Sequence, residues 1–154
     1  MILSLGIFTL LSLVGVGFAA LAWVCDVSEE TRERYAGRYP DTRATGDFGE
    51  MLGDETLDAV VIATPVPTHY DLAKRALEAG KHVFCEKPVA VDAPGVRSVL
   101  ASTEEAKKRG LSLVSGLCWR YHTPQRATYA RIHEGAIGEI RATLPVGVEA
   151  SPSL

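Results

Sequence analysis

Two short apolar runs on either side of one helical stretch set the terms on which this chain can fold. Ala59-Val60-Val61-Ile62-Ala63 contains no polar residue, and His82 to Cys85 is a second run of strand length. A continuous apolar run this short suits a parallel strand covered on both faces. Between the two runs, Leu72, Ala73, Ala76 and Leu77 fall on one face of a helix that Gly80 closes. Thr68-His69-Tyr70-Asp71 has the outline of a capping box: Thr68 accepts from the Asp71 N–H and the Asp71 carboxylate reaches back. Asp71 is also placed to pair with Arg75 one turn on.

The same alternation runs through most of the chain. Leu21 to Cys25 reads as a strand ending in Asp26, and Ser28 caps a polar helix from Glu29 to about Arg38, stopped by Gly37 and Pro40. Asp47 caps a short helical turn, Phe48 to Leu52. Asp92-Ala93-Pro94 starts a helix whose stripe is Val96, Val99, Leu100, Thr103 and Ala106, and Gly110 ends it. Leu111 to Leu117 is the next strand, Thr123-Pro124 opens a helix running to about Gly135, and Ile140 to Leu144 reads as one more strand. Strand and helix in alternation predict an α/β fold, a doubly wound parallel sheet with right-handed crossovers.

Composition narrows the function classes. A formal net charge of −3 gives no electrostatic footprint for nucleic acid or an anionic membrane. Cys25, Cys85 and Cys118 are an odd, widely spaced set, which fits buried, reduced thiols in a cytoplasmic protein and neither a disulfide frame nor a zinc site. Met1 to Cys25 carries no charge and is long enough to span a bilayer. It lacks the basic start of a signal peptide, and Gly6, Gly15 and Gly17 break it into strand-sized pieces. Two buried strands joined by a Gly-rich turn fit it as well, so export or anchoring through residues 1–24 is the weaker alternative.

Candidate chemistry collects where strands stop. In open α/β sheets ligands sit beyond the carboxyl ends of the strands, and Glu86-Lys87-Pro88 follows the His82 strand at such an end. Pro88 restricts Lys87 to extended conformations, so the lysine is aimed; the alternative is a surface ion pair closing a loop. Asp26 ends another strand, where a carboxylate can bind ribose hydroxyls and repel a 2′-phosphate, favouring NAD over NADP; its alternative is an ordinary helix-cap residue. Thr64 and Pro65 follow the Ala59 strand, where backbone can lie against a cofactor, and His69 is either a ligand or a solvent-facing first-turn residue. Trp119, Arg120, Tyr121 and His122 offer an aromatic wall with a cation for a polar ring, or a packed aromatic beside a solvated Arg. Gly15-Val16-Gly17-Phe18-Ala19-Ala20 spells a phosphate-cradling turn, but only about eleven residues separate Gly15 from Asp26 where roughly twenty are usual. The histidines and cysteines form no metal constellation.

V-C-D-V at Val24 to Val27, D-A-V-V-I-A-T-P at Asp58 to Pro65 and H-Y-D-L-A-K-R-A-L-E-A-G-K-H-V-F-C-E-K-P at His69 to Pro88 resemble the glucose–fructose oxidoreductase / inositol dehydrogenase family (Gfo/Idh/MocA). W-R-Y-H at Trp119 to His122 and G-A-I-G-E-I at Gly135 to Ile140 continue the likeness in order. The resemblance implies an NAD(P)-binding Rossmann-like domain over residues 21–136, an atypical apolar stretch over 1–20, and over 137–154 the stub of a missing substrate domain. It implies hydride transfer on a sugar, polyol or related substrate, with Lys87 handling the proton or orienting the substrate. Asp26 would contact the ribose, while Thr64, Pro65, His69, Glu86, Lys87, Pro88, Trp119 and Arg120 would line the cofactor cleft. NAD is the expected cofactor, NADP the less favoured one, and a homo-oligomer is compatible. The phosphate loop's helix and the family's catalytic Asp and His have no place in the sequence, so the expected product is inactive by itself. A non-catalytic nucleotide-binding remnant or assembly partner, or a membrane-anchored Rossmann-like domain, are the alternatives.

Overall fold

The structure, a computed structural model, describes residues 20–141. Two compact units divide the chain, Met1–Gly116 and Leu117–Leu154. The first contains β1 (Trp23–Cys25), α1 (Glu29–Arg38), β2 (Arg43–Thr45), α2 (Phe48–Leu52), β3 (Ala59–Ile62), α3 (His69–Glu78), β4 (His82–Glu86), α4 (Ala93–Lys108) and β5 (Leu113–Gly116), with a 3-10 turn Val66–Thr68 before α3. The second contains a 3-10 turn, Cys118–Tyr121, and α5 (Thr123–His133). The expected strand at Ile140 has no regular structure at its two described residues, and the rest of it lies outside them. The Gly15–Ala20 turn and nearly all of the apolar N-terminus also lie outside the described residues. Among the described residues no helix is long and apolar enough to cross a membrane.

Every described strand pairing is parallel, as the alternation requires, but the strands form two ladders, β1-β2 and β3-β4-β5. One continuous sheet was the expectation. A cavity of about 680 Å³ touches every residue of β1 and every residue of β3. Successive strand residues point to opposite faces, so a cavity that reaches all of them runs along the strand edges. Among the described residues β1 and β3 do not pair with each other.

The core lies on the three-stranded side. Val60 and Ile62 of β3, Val83 and Cys85 of β4, Ala73, Ala76 and Leu77 of α3, Ala106 of α4 and Met51 of α2 form one buried cluster. Their spacing explains the elements: alternate residues of β3 and β4 are buried, and α3 buries one face against β4 and α4. Full burial of an aliphatic side chain such as Ile62 or Leu77 stabilises by about 1.5–3 kcal/mol.

Helix starts behave as the sequence predicts in three places. Ser28 Oγ accepts from the Thr31 N–H at 3.3 Å, Asp47 Oδ1 from the Gly49 N–H at 2.7 Å, and Asp92 Oδ1 from the Gly95 N–H at 2.7 Å. The capping box at Thr68 does not form. Thr68 has helical backbone angles (φ −94°, ψ −10°), whereas a capping residue needs extended ones, and its hydroxyl donates to the Pro65 carbonyl instead. No Asp71–Arg75 ion pair occurs among the described residues; the Arg75 guanidinium lies over the Phe48 ring, 5.1 Å from its centre.

The α4 stripe is rotated from the predicted one. Gly95, Val99 and Ala106 are buried, while Val96 and Leu100 face solvent, because small residues set the line of approach to α3. The cysteines also differ from expectation. Cys85 is fully buried and Cys25 half-buried, but Cys118 is exposed, since the turn that carries it buries none of its residues.

Candidate functional site

Parallel strands put the loops that follow them on one side of their ladder, and in the first unit those loops carry the candidate residues. Asp26 comes directly after β1, Thr64 and Pro65 after β3, and Lys87 and Pro88 after β4. Asp26, Thr64, Pro65 and Thr68 line the same cavity that borders β1 and β3. The structure thus brings the two sequence-distant segments, V-C-D-V and A-T-P, to one space.

Asp26 is held by three bonds at the turn into α1. Its N–H donates to the Thr45 carbonyl at 3.1 Å, Oδ1 accepts from the Ser28 N–H at 2.8 Å, and its carbonyl accepts from Arg32 Nη1 at 2.7 Å. The cap itself is Ser28, so the alternative role of Asp26 as the capping residue does not hold. Oδ2 of Asp26 has no protein partner among the described residues. Cys25 beside it has a thiol pKa raised by burial and by the negative charges of Asp26, Asp47 and Glu50, against the lowering effect of Arg32.

Thr64 is exposed, and its hydroxyl lies 2.7 Å from that of Thr68. Thr68 spends its one hydrogen on the Pro65 carbonyl at 2.8 Å, so Thr64 is the donor between the two hydroxyls. His69 is neither solvent-facing nor open: it is 1% exposed. Its Nε2 lies 2.7 Å from the Thr64 carbonyl and its Nδ1 2.8 Å from the Pro88 carbonyl. Both ring nitrogens are therefore committed to backbone.

Glu86 is the last residue of β4 and is half-buried, whereas Lys87 and Pro88 are exposed. The Glu86 carboxylate accepts from the backbone N–H of Lys87 at 3.3 Å. No Glu86–Lys87 ion pair occurs among the described residues, so the loop is not closed by the pair that the sequence suggests as the alternative. The Lys87 ammonium has no carboxylate partner among them. Next to it, burial first and the Glu86 charge second push the Cys85 thiol up to about 12.

Trp119 and Arg120 belong to the second unit, in the 3-10 turn Cys118–Tyr121, and both are exposed. The Trp119 ring meets His122 edge-on, 5.4 Å between centres.

Two polar groups that the sequence left without a role are structurally central. Lys81 is only 6% exposed and its ammonium donates to the Asp54 carbonyl at 2.7 Å. The Asp54 carboxylate accepts from Trp23 Nε1 at 2.8 Å, from the Thr56 N–H at 2.9 Å and hydroxyl at 2.6 Å, and from Arg43. Those bonds, the Thr56 hydroxyl's foremost, hold its pKa well below the usual carboxylate range. A lysine directly between a helix-closing glycine and an apolar strand was the available signal for Lys81.

The family model described as an oxidoreductase family with an NAD-binding Rossmann fold, Gfo/Idh/MocA, matches residues 12–114. The inositol 2-dehydrogenase of Rhizobium meliloti is 38% identical over 122 residues, covering 79% of this chain and 36% of the relative. The dTDP-3,4-didehydro-2,6-dideoxy-alpha-D-glucose 3-reductase of Actinomadura kijaniata is 34% identical over 110 residues, covering 71% of this chain and 32% of that protein. Among solved structures, a 3-ketoreductase from Actinomadura kijaniata in complex with NADP and TDP-benzene superposes with a TM-score of 0.73 at 29% identity, covering 86% of this chain and 39% of that one. The chain spans about a third of the length of the curated relatives it matches. The ranking of NAD above NADP from Asp26 falls on the NADP complex of that relative, and the cofactor class is NAD(P). On the residues matched, and on a parallel α/β fold with its candidate side chains at the strand ends, the chain belongs to the Gfo/Idh/MocA family of oxidoreductases with an NAD-binding Rossmann fold.

Proposed function

We propose that this chain is the dinucleotide-binding part of an NAD(P)-dependent oxidoreductase acting on a sugar, polyol or related substrate. The observation that carries the reading is placement: Asp26 and Thr64-Pro65, far apart in sequence, follow the carboxyl ends of the parallel strands β1 and β3 and border one space. The residues fit a dinucleotide. Asp26 keeps one carboxylate oxygen without a protein partner among the described residues, as a ribose hydroxyl requires. Thr64 and Pro65 are exposed backbone and side chain on the opposite wall.

The nicotinamide ring, when bound, supplies the hydride acceptor or donor. Asp26 orients the adenosine ribose through its free oxygen. Thr64 and Pro65 line the cleft, and Glu86 and Pro88 stand at the end of β4, the strand beside β3. Lys87 holds at Nζ the proton that the substrate oxygen gains or loses while the hydride moves to or from the adjoining carbon. Its exposed ammonium is available for that task.

The test is a titration of the full chain with NADH and NADPH, followed by fluorescence, with Asp26→Ala alongside. Micromolar binding that Asp26→Ala weakens about tenfold supports the reading. Affinity no better than about millimolar for both cofactors overturns it.

A further inference from the structure

We propose that His69 is a positioning residue: its ring ties the loop after β3 to the loop after β4 and thereby fixes the distance between Thr64 and Lys87. The ring is 1% exposed, with Nε2 2.7 Å from the Thr64 carbonyl and Nδ1 2.8 Å from the Pro88 carbonyl. Those two carbonyls belong to loops that no strand pairing joins, since the β3–β4 ladder ends at Ile62 and Cys85. Beyond that point, the bonds through His69 are what the described hydrogen bonds offer to hold the loops together. Both partners are acceptors, and a ring nitrogen must carry a hydrogen to serve an acceptor. A neutral imidazole carries one N–H, so the ring donates to one of the two carbonyls and holds its other nitrogen against the second. His69 starts α3, so the tie also anchors the helix amino end beneath the loops. The residue touches no substrate in this scheme. It acts through Thr64 and Pro88 on Lys87, which is next to Pro88 in sequence. The functional meaning of the tie rests on the proposed function, but its existence does not.

Two measurements on the full chain decide it without cofactor. In nitrogen-edited NMR, His69 should give a slowly exchanging ring N–H signal, whereas exposed rings exchange theirs with water. No such signal overturns the tie. Amide exchange of residues 64–68 and 87–91 should quicken about tenfold in His69→Phe, which keeps the volume and loses both ring nitrogens, while residues 72–78 of α3 stay protected. Unchanged loops in a folded His69→Phe would make the ring a mere core filler and overturn the proposal. If His69→Phe does not fold, the ring signals of the unaltered chain still decide. With NADH or NADPH present, the same variant, measured at a temperature where it is folded, should lose about tenfold in affinity; equal affinity would sever the tie from the site. Failure of the unaltered chain to bind either cofactor would defeat the proposed function and leave the tie to be judged on exchange and ring signals.

Discussion

The Glu86 carboxylate lies over Gly116, the residue opposite it across β4 and β5. A Cβ at 116 would come 2.8 Å from Glu86 Oε2 and 3.1 Å from Glu86 Cα, so the space a side chain would fill is taken by the carboxylate. Gly116→Ala must then displace Glu86, which now accepts from the Lys87 N–H. The expected cost is about 1–3 kcal/mol by overpacking. Urea unfolding gives the loss, and Glu86→Ala should restore most of it by emptying the space; no recovery in the double variant would refute the account.

Lys81, buried just before β4, donates to the backbone carbonyl of Asp54. Lys81→Met keeps most of the stem's packing and leaves the Asp54 carbonyl short of a donor, a loss of about 1–3 kcal/mol. A variant as stable as the parent would mean that water reaches that carbonyl freely.

The thiols should react in a fixed order. Cys118 is exposed, Cys25 half-buried with its pKa raised, and Cys85 buried with a pKa of about 12. A chromogenic disulfide reagent at mildly alkaline pH should label Cys118 fast, Cys25 slowly and Cys85 only after denaturation. Mass mapping of the labelled peptides checks this, and early labelling of Cys85 would contradict its burial.

Asp54 sets an acid dependence whose sign is fixed. Hydrogen bonds from Thr56 and Trp23, with Arg43 nearby, lower its folded-state pKa. A lowered carboxyl contributes stability above its unfolded pKa of about 3.9 and loses it as pH falls further toward the folded value. Asp54→Asn should thus be less stable than the parent at neutral pH, with the difference shrinking below about pH 4. A difference that holds constant across that range in urea unfolding would show that the charge is not what matters.

Much of the fold was legible because local signals and tertiary demands agree. The apolar runs at Ala59 and His82, the caps Ser28, Asp47 and Asp92, and the closing Gly80 each describe a nearest-neighbour requirement that the structure meets. What failed depended on partners elsewhere in the chain. Thr68 spells a cap, but the preceding 3-10 turn bends it into helical geometry. Leu100 fits a helical stripe, but α3 approaches along Gly95, Val99 and Ala106. At the site, residue types and strand ends pointed to Asp26, Thr64 and Lys87, while the role of His69 required knowing that two loops meet over its ring. Spacing along the chain does not carry that information.

The opening between β1 and β3 has walls that look oily, yet its rim is made of strand edge. Among the described residues β1 and β3 are each paired on one side only, which turns alternate main-chain amides and carbonyls toward the opening. A purely greasy guest would strip water from those groups and return nothing, at about 1–3 kcal/mol for each. Whatever lies along those edges, polypeptide or ligand, must therefore bring its own donors and acceptors in a row.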